Sequence, residues 1–128
     1  MVLEVTSVEQ FDEILNDSGV EKHGKKYVLV DYFALWCRPC LAFAGAFDEL
    51  SKEYGDNVYF LKVNIDTVEE LSVRYQIRSI PTFMFFDVGN LTSEYEVIVG
   101  ANKDKLVQRL KYFNSKTTTT TNTETFDF

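Results

Sequence analysis

The chain has 128 residues, 45% of them apolar, with 11 Phe and 7 Tyr, and a formal net charge of −7. That size and apolar content suit a single domain whose core folds without disulfide staples, and the acidic balance excludes a nucleic-acid partner, which calls for a basic face. No run of about 18 apolar residues is present to cross a membrane, and the opening "MVLEVTSVEQ" lacks the basic start and apolar block of a signal peptide.

In chain order, "LEV" reads as a short strand, and "TSVEQFDEILND" as a helix with Val8, Phe11, Ile14 and Leu15 on one face. Ser7 and Gln10 form a capping-box pattern at its start. "YVLVDYF", residues 27 to 33, is a nearly continuous apolar run, the signature of a strand covered on both faces. The segment "ALWCRPC" follows and opens a helix to about Tyr54, with Phe43, Phe47, Leu50 and Tyr54 on one stripe. "VYFLKVNI" is the next strand. Thr67 and Glu70 then cap a short helix that turns Val68, Leu71 and Tyr75 inward. "TFMFF" and "EYEVIV" flank "DVGNLTS", whose Gly-Asn marks a hairpin. Asn102 caps a last helix through Leu106, Val107, Leu110 and Phe113. The order β-α-β-α-β-α-β-β-α predicts an α/β fold, a mixed central sheet with helices on both faces. The division expected is a domain over residues 1–114 and a threonine-rich tail over 115–128, whose composition predicts disorder.

The two cysteines of the chain, Cys37 and Cys40, stand three apart where strand gives way to helix. Residues at that spacing share a helix face, so the pair can close a small disulfide without unfolding anything. At the helix start, free backbone N–H groups and the positive dipole end favour a thiolate on Cys37. Cys40, one turn deeper, lacks that stabilisation. The asymmetry separates an attacking thiol from a resolving one. Pro39 suits the first helical turn, where a missing N–H costs nothing. A structural zinc site takes about four ligands, and the chain offers two cysteines and His23, so no metal is expected. A permanent structural disulfide over so small a ring would constrain little chain entropy. Redox work is the better reading.

With the pair so placed, the sequence resembles the thioredoxin family from about residue 5 to 113. The resemblance rests on "VDYFALWCRPC", "VNID", "IRSIPTFMFF" and "VGA" in the right order. It implies a thioredoxin fold and a thiol–disulfide oxidoreductase that reduces client proteins, with Cys37 the attacking thiol and Cys40 the resolving one. Pro81 falls where the family has a cis-proline, and only X–Pro bonds adopt cis cheaply. The backbone of Ile80 is expected to pair with an extended substrate segment as an added strand. Trp36, Ile80, Pro81, Gly100 and Ala101 would form the apolar docking rim, with Arg38 and Pro39 beside them; plain core packing is the alternative for Trp36.

Asp31 is a carboxylate inside a buried strand, which is costly unless paired or protonated, and burial should raise its pKa. The resemblance places it behind Cys40 as the base that takes the resolving thiol's proton, with Lys62 beside it. The alternative is a buried Asp31–Lys62 ion pair with no part in catalysis. The resemblance further implies thioredoxin reductase as a partner drawing on NADPH, no bound cofactor, clients such as peroxiredoxins, a monomer and a cytoplasmic setting.

Three positions depart from the family pattern. Arg38 stands where glycine is usual; a guanidinium about 7 Å from the Cys37 sulfur is expected to make the couple more oxidising by roughly 13 to 26 mV. Gly45 replaces a helix-kinking proline, which leaves the long helix straighter or more mobile. Phe33 replaces a common tryptophan, so Trp36 is the one indole and its fluorescence should report the redox state. Two rival readings remain open. A secretory-type oxidase or isomerase usually has histidine just before the second cysteine, where this chain has Pro39. A redox-sensitive interaction module often loses a cysteine or the cis-proline. The sequons "NDS" (16–18) and "NLT" (90–92) matter only in the secretory pathway.

Overall fold

The computed structural model describes residues 1–16, 25–88 and 95–126, with side chains as far as residue 115. Its elements follow the expected order: β1 (Val2–Val5), α1 (Val8–Asn16), β2 (Tyr27–Phe33), α2 (Arg38–Tyr54), β3 (Val58–Asn64), α3 (Glu69–Arg74), β4 (Thr82–Asp87), β5 (Glu96–Val99) and α4 (Lys103–Phe126). The sheet order is β1-β3-β2-β4-β5, with β1 and β2 parallel to β3, and β4 antiparallel to both β2 and β5. The sheet is mixed, and β2 lies at its centre with every residue buried.

Alternation along β2 sends its side chains to two cores. Val28, Val30 and Tyr32 join Phe11, Ile14 and Leu15 of α1, and Leu71 of α3, on one face. Tyr27 and Leu29 join Phe43, Phe47, Leu50 and Tyr54 of α2, and Leu106, Leu110 and Phe113 of α4, on the other. Asp31, in step with Tyr27 and Leu29, therefore points beneath α2. The helical stripes expected for α1, α2 and α4 are the buried ones.

The caps differ in detail. Ser7 Oγ accepts the Gln10 N–H at 3.0 Å, but the Gln10 side chain accepts from the Thr6 N–H at 2.7 Å, one residue earlier than a capping box requires. At α3 the Thr67 hydroxyl donates back to the Asn64 carbonyl, and no side chain caps the helix. The competing acceptor is created by the sharp turn after β3, where the Asn64 carbonyl also takes the N–H groups of Thr67 and Val68. Asn102 does cap α4, through the Lys105 N–H at 3.0 Å.

Phe113 is the last buried side chain of α4 among the described residues, yet the helix runs on to Phe126. The hairpin turn with "NLT", the Ser18 end of "NDS", and His23 lie outside the described residues.

Candidate active site

The chain leaves β2 at Phe33, turns through Ala34 to Trp36, and enters α2 with Cys37 as its N-cap. The Cys37 backbone is extended, and its sulfur accepts the Cys40 N–H at 3.2 Å. An N-cap acceptor is normally an oxygen. Here the first turn of the helix directs its donor at a sulfur, which favours negative charge there. Pro39 lies in that same first turn. Cys37 and Cys40 form a disulfide, with their Cα atoms 5.2 Å apart. Both are almost fully buried, in a small cluster with Phe33 and Ala34, packed by Ile65 and Ile80.

Facing the disulfide is the Ile80–Pro81 bond, which is cis, as the resemblance implies. The Ile80 carbonyl oxygen lies 3.8 Å from Cys37 Sγ. Among the described residues the Ile80 backbone pairs with no other backbone group; its neighbour Pro81 accepts the Gly100 N–H at 2.8 Å. Gly100 has φ of +97°, a left-handed conformation that glycine adopts without strain. That contact brings Gly100, half-buried, and Ala101, exposed, up to the cis-proline.

Trp36 is 67% exposed, so core packing does not explain it. Its indole N–H donates to Asp66 at 2.9 Å. The Asp66 backbone N–H is in turn held by the Asn64 side chain at 2.8 Å. Asp66 occurs in "VNID", but nothing in the spacing assigns it a partner, because the contact spans 30 residues.

Two clefts meet at the disulfide. One, about 410 Å³, opens on Cys37 and is bounded by Trp36, Arg38, Pro39, Arg78 and Ile80. The other, about 450 Å³, opens on Cys40 and is bounded by Asp31, Phe33, Gly45 and Lys62. Asp31 is 6% exposed, and its Oδ1 has no hydrogen-bond partner among the described residues. Burial pushes its pKa from 3.8 up to about 7, and the Lys62 charge holds it from rising further. Asp31 and Lys62 are register partners on β2 and β3. They do not close an ion pair; the Lys62 ammonium instead sits 5.5 Å from the centroid of the Phe33 ring. Tyr32, the next residue, also has a buried hydroxyl without a partner among the described residues, but it points to the opposite core, away from the cysteines.

The expected residues therefore come together as two groups around one disulfide. Arg78 is an addition, since its place beside Cys37 depends on how the chain approaches the cis-proline.

The thioredoxin family model matches residues 2–112. Thioredoxin of Equus caballus is 37% identical over 87% of this chain and 97% of its own. Thioredoxin-T of Drosophila melanogaster is 44% identical over 67% of this chain, a match that spans 53% of that protein. The crystal structure of a poplar thioredoxin h superposes with a TM-score of 0.76, at 32% identity, covering 88% of this chain and 95% of that one. No helix among the described residues is long and apolar enough to cross a membrane. The family match over the whole sheet and the paired cysteines at the start of α2 lead to one conclusion: the chain belongs to the thioredoxin family, as a thiol–disulfide oxidoreductase of the protein-disulfide-reductase type.

Proposed function

We propose that the chain reduces disulfides in other proteins, with Cys37 as the attacking thiol and Cys40 as the resolving one. The observation that carries this reading is the position of Cys37. It caps α2, accepts a backbone N–H, and opens on the cleft beside the cis-proline. A client segment lies along the Ile80 backbone as an added strand. Trp36, Pro39, Pro81, Gly100 and Ala101 form its rim, with Arg38 beside them.

In the reduced protein the Cys37 thiolate attacks one client sulfur. A Cys37–client disulfide forms, and the other client sulfur leaves as a thiolate. Asp31, as the carboxylate, takes the proton of the Cys40 thiol across their shared cleft. The Cys40 thiolate then attacks Cys37 Sγ, the mixed disulfide breaks, and the second client sulfur leaves. Two electrons have passed to the client, whose thiolates take protons from water, and the chain is left with the Cys37–Cys40 disulfide. A base with a pKa of about 7 suits this step, because at neutral pH about half of it is the carboxylate and it still binds a proton well. Lys62 keeps the carboxylate from becoming too weak an acid to ionise there.

The oxidised pair is recharged by a thioredoxin reductase drawing on NADPH. The chain itself binds no cofactor and works as a monomer in the reducing cytoplasm on clients such as peroxiredoxins. Residues 1–114 carry the activity, and 115–128 are an extension.

The test is NADPH consumption with a thioredoxin reductase and a disulfide-bonded client. Turnover should occur with the full chain and with a chain ending at residue 114. Cys40→Ser should stop it and accumulate a covalent complex through Cys37. No turnover and no trapped complex would leave an interaction module. Arg38 favours one further reading, an oxidase or isomerase, because it pushes the potential upward. A potential near the thioredoxin value of about −270 mV supports the reductant, and one above about −200 mV the oxidising alternative.

A further inference from the structure

The cleft in front of Cys37 carries two arginines. Arg38 is the first residue of α2, and Arg78 lies on the segment that leads to Ile80; both line the cleft and both are exposed. The ion pairs formed by arginines among the described residues engage Arg74 and Arg109 and leave these two unpaired. The neighbouring carboxylate, Asp66, accepts the Trp36 indole N–H and is not among the residues that line the cleft. A chain of net charge −7 thus lines the cleft of its attacking sulfur with two arginines that close no ion pair among the described residues.

Resting on the reductase reading above, the geometry points to clients whose disulfide is flanked by aspartate or glutamate, with Arg38 and Arg78 as the residues that select them. A client cysteine that reaches Cys37 over Ile80 carries its neighbours past both guanidiniums. Arginine's planar fork suits a carboxylate. The rest of the acidic surface opposes such a client at long range, but at physiological ionic strength the Debye length is about 8 Å. Repulsion from distant carboxylates is then screened, while attraction inside the cleft survives.

The experiment uses the full reduced chain and three disulfide peptides that differ only in the residues beside the cystine: glutamate, glutamine or lysine. Trp36 fluorescence follows single turnovers. At about 0.15 M salt, two exposed contacts predict kcat/KM for the glutamate peptide about threefold to tenfold above the glutamine peptide. The lysine peptide should fall below both. At about 1 M salt, where the Debye length is about 3 Å, the ratio should approach one. Arg38→Gln and Arg78→Gln should each reduce the preference, and the double variant should abolish it. Equal rates for all three peptides in the unaltered chain, or a preference that persists in the double variant, would overturn the inference and leave the reductase reading standing. Failure to reduce any of the peptides would overturn both.

Discussion

The two sulfurs of one small disulfide open on different surroundings. Cys37 faces a cleft edged by an indole, two arginines and the cis-proline backbone. Cys40 faces one that contains a buried carboxylate and a lysine. The first offers surface for another chain: exposed apolar rim and a backbone with spare hydrogen-bonding capacity. The second offers a place for a proton. Only one turn of α2 separates them, so helix geometry alone divides client handling from proton handling. β2 enforces the division from below. Its alternation turns Asp31 under α2 and Tyr32 to the far core, and a one-residue slip would exchange them.

The largest effect is expected at Cys40. Cys40→Ser removes the sulfur on the proton side and keeps the docking side intact, so client capture should persist while turnover falls to zero. Mass spectrometry of the trapped complex checks both halves. Asp31→Asn should leave capture alone and slow release of the client by about 10²-fold, the lower end for a lost general base. The rise in the release rate across pH 7 should disappear with it.

The same carboxylate affects stability. Between pH 3.8 and about 7 the folded protein holds a proton that the unfolded chain has released. Its contribution is therefore most favourable below pH 4, declines as pH rises to 7, and is constant above that. Asp31→Asn should stabilise the oxidised protein by about 4 kcal/mol at pH 8 and by little at pH 4, measured by denaturant unfolding. Lys62→Ala should act in the opposite sense, raising the Asp31 pKa further and shifting the inflection in the release rate to higher pH.

Gly45 lies on the solvent-facing side of α2. It borders the proton cleft, and a Cβ there would meet nothing within 4 Å. Gly45→Ala should stabilise the fold by about 1 kcal/mol, read from the shift in denaturation midpoint. The smallest effect belongs to the client side. Arg38→Gly should make the couple more reducing by roughly 13 to 26 mV, as found by equilibration in thiol buffers.

Most of the fold was legible because its signals are local. The apolar run of β2 marked a strand covered on both faces, and the Phe43, Phe47, Leu50, Tyr54 spacing marked the buried face of α2. Asp31 could be singled out as a charge within such a run, and Pro81 through the resemblance in "SIPT". What was not legible depends on contacts between distant segments. Asp66 meets Trp36 because β3 ends beside the turn before α2, and Arg78 lines the Cys37 cleft because the chain bends back toward β4. The caps of α1 and α3 missed by one residue or failed because a nearby acceptor competed, which spacing alone does not encode.

The most direct test follows Trp36 fluorescence through one turnover at several pH values, in the unaltered chain and in Asp31→Asn. Two phases are expected, attack by Cys37 and release by Cys40. Asp31→Asn should slow only the second phase and remove its inflection near pH 7. A variant that slowed both phases equally, or only the first, would contradict the division of labour between the two clefts.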